Sequence, residues 1–328
     1  MSGIGVVVIG RNEGERLRVC LVSAISQLPH SPIVYVDSGS TDGSAALAQS
    51  LGVEVIALDL SIPFTAARAR NAGFAALVSK ASGLEMVQFV DGDCELVEGW
   101  CERAVAALRA EADLALVCGR RRERYPHQSI FNQLCDMEWN TPIGEALACG
   151  GDAMIRIAAL RQVQGYRDSL IAGEEPELCL RLRRGGWRIL RLEAEMTLHD
   201  ANILRFSQWW RRTVRAGHAY AEGAWLYGLA PEHHWLRESL RSWFWGLILP
   251  LALCLSLRVS YGWSAGGFLV YPVLAGRIAW QRRSTEPASA ASWYALFCVL
   301  GKVAEVQGQI QFHCDRLQGQ GSQLLEYK

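Results

Sequence analysis

Three short apolar runs constrain the architecture of this chain. Residues 4–9, 33–36 and 86–90 are apolar or β-branched apart from Gln88, and each run stops in a polar cluster. Short continuous apolar runs of this kind suit strands buried on both faces, as in a parallel sheet. Behind the first run, Leu17, Cys20, Leu21, Ala24, Ile25 and Leu28 recur at helical spacing, and Pro29 and Pro32 end the pattern. The spacing predicts a second helix over 44–51 with Asp42 as its N-cap, a third strand over 53–57 and a third helix over 65–78. Strand and helix alternating through short loops predict an α/β fold, a mostly parallel sheet with helices on both faces. Ligands of such sheets sit beyond the carboxyl ends of the strands. The clusters at those ends, Arg11-Asn12-Glu13, Asp37 to Asp42 and Asp91-Gly92-Asp93, therefore predict a polar crevice.

The stretch M-V-Q-F-V-D-G-D-C-E over 86–95 carries the most chemistry. In an extended chain Asp91 and Asp93 point the same way, and Gly92 between them admits backbone or ligand. Two like charges side by side call for compensation, and a hard divalent cation bearing phosphate oxygens supplies it. The structural alternative is a strand-to-helix turn in which Asp93 caps a helix. A dinucleotide site is excluded, because the first turn, I-G-R-N-E-G-E, lacks G-x-G-x-x-G, and no P-loop motif is present. The 33 basic and 33 acidic residues balance, which argues against nucleic acid as a partner. The ten cysteines are scattered without metal-site spacing and read as reduced thiols. The opening M-S-G-I-G-V-V-V-I-G lacks a basic region and reads as a first strand rather than a signal peptide.

With these residues in view, the chain resembles a family 2 glycosyltransferase of the GT-A fold, a nucleotide-diphospho-sugar transferase fold. The matching features are N-E after the first strand, V-D-S-G-S-T-D after the second, A-R-A-R-N-A-G-F on the third helix, D-G-D, G-G-D-A-M-I-R and G-E-E-P-E-L-C-L-R-L, in order over about residues 3–200. The resemblance implies a nucleotide-sugar donor and a divalent metal, manganese or magnesium. It assigns Asp91 and Asp93 to the D-x-D pair facing ribose and metal, Asp37 to the nucleobase side, and Arg70 and Asn71 to the neighbourhood of the nucleotide. Ser38 stands where the family motif has a second aspartate, so the choice of nucleotide is open. Cys149-Gly-Gly-Asp152 resembles the segment lining the sugar and acceptor pocket, with Asp152 as a sugar-hydroxyl ligand. The resemblance also places a catalytic base in Gly173-Glu174-Glu175. Glu175 holds the position where the family commonly has aspartate, and Glu174 is the fallback. Finally, His199 matches the third metal ligand of some GT-A enzymes, against a plain loop histidine.

The chemistry of inverting transfer agrees with two separated acidic sites. The acceptor hydroxyl loses a proton as it attacks the anomeric carbon. The departing nucleoside diphosphate has charge that a metal neutralises. The segment between these sites holds a strand over 113–118 and a basic stretch over 119–124. That stretch reads either as a phosphate-binding loop for acceptor or lipid or as a solvated loop. A helix is expected over 131–139, and Pro176 suits the first position of the helix that Glu174 and Glu175 open. Short closing strands are expected over 187–192 and 196–199.

Residues 206–227 read as an aromatic and basic helix containing Q-W-W-R-R. This echoes the Q-x-x-R-W of processive synthases, but Arg212 stands in place of tryptophan. Tryptophans beside arginines suit a membrane interface or a sugar platform, and core packing is the alternative for Trp209 or Trp210. Residues 242–257 and 259–276 are nearly charge-free and flanked by tryptophan and arginine, which predicts a membrane hairpin with both ends cytoplasmic, against a soluble helical domain as the alternative. A third run over 293–300 is too short to span, and the segment from Gln307 is polar. The expected organisation is a catalytic domain over 1–204, an amphipathic linker helix over 205–236 and C-terminal hydrophobic, membrane-associated helices with a polar tail over 237–328. The expected protein is a metal-dependent, inverting hexosyltransferase of bacterial type on the cytoplasmic face of the inner membrane. It moves sugar from a nucleotide-diphosphate donor to a lipid-linked or polysaccharide acceptor. The alternatives are a non-catalytic membrane-bound nucleotide or glycan binder and a processive polysaccharide synthase.

Overall fold

The computed structural model describes residues 3–319. The chain forms two compact units, one of residues 1–125 and 135–201, the other of residues 126–134 and 202–328. In chain order the first unit contains β1 (Ile4–Gly10), α1 (Glu15–Gln27), β2 (Ile33–Asp37), α2 (Ser44–Ser50), β3 (Glu54–Ala57), α3 (Ala66–Lys80), β4 (Met86–Asp91), β5 (Cys94–Leu96), α4 (Trp100–Ala110) and β6 (Leu114–Glu123). Helix α5 (Ile130–Glu138) follows, then β7 (Gly144–Glu145), β8 (Ala153–Arg156), α6 (Ile157–Gln162), α7 (Glu174–Arg184) and β9 (Arg188–His199).

The strands form one sheet in the order β3-β2-β1-β4-β8-β6-β9-β5, with β7 on β9. The first four strands in that order run parallel, as the βαβ alternation requires. Past β4 the sheet is mixed: β8 is antiparallel to both β4 and β6, β6 runs parallel with β9, and β5 and β7 run antiparallel to β9. All but the last residue of β1 is buried, so both faces of the central strand are covered. Helix α3 crosses this part of the sheet closely. A Cβ on Gly73 would lie 2.4 Å from Val7 Cγ1 and 2.8 Å from Val36 Cγ2.

Local expectations are revised at several points. Asp42 precedes the N-cap, which is Gly43 at φ 85°, but its Oδ1 still accepts from the Ser44 amide at 3.0 Å. Asp93 caps no helix, because the chain turns directly into β5. The basic stretch is strand rather than loop, since β6 continues to Glu123 by pairing with β9 as far as His199. The two expected closing strands are one, β9. Pro176 is the third residue of α7, not the first, a first-turn position at which its missing N–H still breaks no helical bond.

The second unit holds α8 (Phe206–Tyr227), α9 (Leu236–Trp243), α10 (Leu249–Ser256), α11 (Val270–Arg282) and α12 (Ala288–Leu317). A π-helical turn, Phe244–Ile248, joins α9 to α10, making one helical rod over 236–256. Glycines allow close crossings: a Cβ on Gly217 would lie 2.1 Å from Glu305 O, and one on Gly246 2.2 Å from Lys302 O. Trp209 is buried against Phe131 and Phe297, so it packs a core. The rod Leu236–Ser256 is, among the described residues, the one helix long and apolar enough to cross a membrane. The second half of the expected hairpin is not one helix. It breaks into a turn, a 3-10 segment at Trp263–Leu269 and the 13-residue α11. The run over 293–300 and the start of the polar segment are parts of the 30-residue α12, while residues 320–328 of that segment lie outside the described residues.

Gly73→Ala tests the close crossing of α3. Over-packing is expected to lower the unfolding free energy by roughly 1–3 kcal/mol, less the gain in helix propensity, read from the urea midpoint.

Candidate active site

The crevice begins where the carboxyl ends of β2, β1 and β4 lie side by side, with Gly10 opposite Asp37 and Ile9 opposite Asp91. Its centre is Arg70 on α3, only 2% exposed. One guanidinium nitrogen donates to Asp91 Oδ1 at 2.8 Å and lies 3.2 Å from Glu175 Oε1. The other terminal nitrogen donates to Glu174 Oε1 at 2.8 Å. The ring of Tyr166 lies against the guanidinium, 5.4 Å from its centroid. The two acidic sites singled out in the sequence thus share one cation. Gly151 leaves the space this needs, since a Cβ there would lie 2.4 Å from Asp91 Oδ2 and 2.7 Å from Arg70 Nη2. That glycine accommodates the protein's own ion pair, whereas Gly150 faces open space.

Asp91 is held from its other side by Arg121, whose Nη2 donates to Oδ2 at 3.0 Å. Burial opposes the carboxylate's charge, but Arg70 and Arg121 outweigh it and hold its pKa well below the usual range. Arg121 also donates from Nε to Asp152 Oδ2 at 3.0 Å. Asp152 is fully buried, accepts from the Asp91 amide at 2.9 Å and takes the Thr197 hydroxyl at 2.7 Å. With both oxygens engaged inside the protein, it braces Asp91 and Arg121. Arg121 reaches this position because the β6–β9 register shifts on both sides of Arg120, and such bulges re-aim side chains.

Glu174 and Glu175 open α7 behind Gly173, at φ 78°. Glu174 is 3% exposed. Burial and the adjoining Glu174 charge push the Glu175 carboxyl up to about 7, against the pull of Arg70. A carboxyl poised there exchanges protons near neutral pH.

Of the expected metal ligands, Asp93 and His199 come together and Asp91 does not join them. His199 Nε2 lies 3.3 Å from Asp93 Oδ2, while both Asp91 oxygens face arginines. Cys94 lies within 4.8 Å of the pair, but burial raises its thiol well above the usual value, so it stays protonated. Burial pulls the His199 imidazole below its usual pKa, keeping it in the neutral, ligating form. The last residue of β9, it rests edge-on against Trp139 at 4.7 Å, with Nδ1 directed at Glu123 Oε2, 3.7 Å away. A carboxylate and a neutral imidazole form a donor set that fits manganese or a similar divalent cation.

The remaining expected donor contacts hold loops. Asp37 Oδ2 accepts from the Gly39 and Ser40 amides at 3.1 and 2.9 Å, and Oδ1 takes the Tyr35 hydroxyl at 3.0 Å. The Ser38 amide donates to Gly10 O at 3.0 Å. Asn71 donates to Tyr166 O and Asp168 Oδ1 and accepts from the Tyr166 amide, pinning residues 166–168. Gly92 makes room for the chain, not for a ligand: a Cβ there would sit 3.1 Å from Ile9 O. Sequence reasoning missed Arg121, Glu123, Trp139 and Tyr166 as members of the site. For Arg121 the signal was present in the basic stretch, but its strand and bulge were not.

A mixed sheet with a parallel first half, two acidic groups at its carboxyl edge and an aspartate–histidine pair beside them define a glycosyltransferase of the GT-A fold. Residues 5–158 match the sequence model of the family described as Glycosyl transferase family 2, and the chain belongs to that family. It is 24% identical over 264 residues to Glycosyltransferase AglE of Haloferax volcanii, covering 73% of this chain and 85% of that protein. It is 27% identical over 169 residues to the Succinoglycan biosynthesis protein ExoA of Rhizobium meliloti, covering 48% of this chain and 50% of that one. The fold matches the mannosyltransferase PcManGT from Pyrobaculum calidifontis, solved with GDP-Man and Mn2+, at a TM-score of 0.65 and 15% identity, over 96% of this chain and 88% of that chain.

Removing Arg70 would strand buried carboxylates, which costs about 3–5 kcal/mol when one partner of a buried pair is lost. The depressed pKa of Asp91 contributes stability that is present above its unfolded value and lost as pH falls. Arg70→Met is therefore expected to lose most stability at alkaline pH and less at acidic pH, where the freed carboxyls protonate. Urea denaturation at the two pH values measures this, and an equal loss at both would refute the charge-pairing account.

Proposed function

We propose that this chain is a metal-dependent, inverting hexosyltransferase that moves sugar from a nucleotide-diphosphate donor to a lipid-linked or polysaccharide acceptor at a membrane surface. One observation carries the reading: Arg70 joins the carboxylate that ends β4 to the two that open α7, with Glu175 poised near neutrality. The donor and the cation are supported by PcManGT, solved in complex with GDP-Man and Mn2+, and the glycan acceptor by ExoA, a succinoglycan biosynthesis protein.

In this reading Asp93 and His199 would hold a divalent cation, which would supply neutralising charge for the departing diphosphate. Glu175 accepts the proton of the attacking acceptor hydroxyl on a carboxylate oxygen, and no covalent enzyme intermediate is needed. Arg70 orients Glu175, and the neighbouring Glu174 carboxylate raises the basicity of Glu175. Asp152, Arg121 and Asn71 hold this frame while the donor binds. Attachment to a membrane surface is supported by the apolar rod Leu236–Ser256, with exposed Arg237 and Arg241 in its first turns and exposed Arg258 just beyond its end.

Glu175→Gln is expected to retain donor affinity and lose roughly 10²–10⁴-fold in transfer rate. In the wild type, kcat/KM should rise with pH through about 7 as Glu175 deprotonates and then level off. If Glu174→Gln alone abolished transfer, the base would be Glu174. Asp93→Asn and His199→Ala should each weaken manganese binding about 10–100-fold in calorimetry, and unchanged affinity in both would remove the cation from this site.

A further inference from the structure

The first unit contains an open surface cavity of about 650 Å³, and none of Arg70, Asp91, Asp93, Glu174, Glu175 or His199 lines it. Arg103 of α4, Arg120 of β6 and Arg191 of β9 converge on it, with Asn140 and Thr141 from the loop after α5. Arg191 is the informative residue. It is 5% exposed, its Nε is buried without a hydrogen-bond partner, and among the described residues its guanidinium makes no hydrogen bond or ion pair. A guanidinium is always charged, and a buried charge is retained only where something pairs with it.

The acids lining the cavity do not meet that need. Glu195 Oε1 is 2.9 Å from Arg122 Nη1, and Glu193 is exposed. Arg120 is paired with Asp136 at 3.1 Å. Arg103 forms no ion pair among the described residues. Two cations without carboxylate partners, from two different elements, therefore face one space large enough for a ligand. Arg120 lies beside them, with Asn140 and Thr141 as polar neighbours. Several guanidiniums converging from separate elements suit an oxyanion with acceptors on several sides, as a tetrahedral phosphoryl group has. Arg120 and Arg121 are consecutive on β6, and strand alternation sends them to opposite faces, so they line different sites.

We propose that this cavity binds a phosphoryl group, held by Arg191 with Arg103 and Arg120. The group is the headgroup of a lipid phosphate or the phosphate of a water-soluble molecule, and Pro142 and Ile143 at the cavity wall offer apolar contact to the former. The inference does not depend on the proposed transfer reaction. Calorimetric titration of the full chain with inorganic phosphate in EDTA tests it, with Asp93→Asn as the control for binding in the catalytic crevice. Saturable binding is expected, unchanged in Asp93→Asn and weakened about tenfold or more in both Arg191→Gln and Arg103→Ala. Arg103 is exposed, so its variant carries the test if Arg191→Gln does not fold. No saturable binding, or affinity within about twofold of wild type in both arginine variants, overturns the proposal. Given that site, dodecyl phosphate below its micelle concentration binding about tenfold tighter than inorganic phosphate assigns the lipid source, and equal affinity assigns the soluble one.

Discussion

The catalytic unit depends on one buried cation. Arg70 is almost fully buried and has three carboxylates within 3.2 Å, drawn from β4 and from the first turn of α7. In a low-dielectric interior such a cluster holds together only when every charge is answered. Arg70 therefore ties the sheet edge to the helix that carries the acidic pair. It also sets the electrostatic contrast within the cluster, with Asp91 held firmly ionised between two arginines and Glu175 left near neutrality beside Glu174.

Around that centre the site is a set of braces. Asp152 spends both oxygens inside the protein, Asn71 pins the loop bearing Tyr166, and Asp37 folds its own turn. In the sequence, a polar residue at a strand end looks the same whether it meets a substrate or a neighbouring amide. Precise placement of Glu175, Asp93 and His199 needs such supports, since a reacting group is useful only when its own partners fix it.

The second unit shows a related limit. Residues 242–276 are almost uniformly apolar, and composition predicts two equal membrane segments. The chain instead makes one rod over 236–256, with a π-helical turn where Gly246 lets it approach α12, and breaks the following run into short helices. Hydropathy records which residues avoid water. It does not record where Gly262, at φ 89°, allows the backbone to turn.

Strand ends, helix starts and the alternation between them were legible in the amino-acid order, because they follow from periodicities of two and 3.6 residues and from local turn chemistry. On that basis β1, β2, β4, α3, α7 and α8 lie where the spacing puts them, and so do Asp91, Asp93, Glu174, Glu175 and His199 at their ends. Partnerships were not legible. Arg70 meets Glu174 across 104 positions, and Asp91 meets Arg121 across 30 through a bulge that no motif announces. Whether a carboxylate faces a cation, another carboxylate or water is decided by long-range packing, and that packing set Asp152 inside, split Asp91 from Asp93 and left Arg191 unanswered in its cavity.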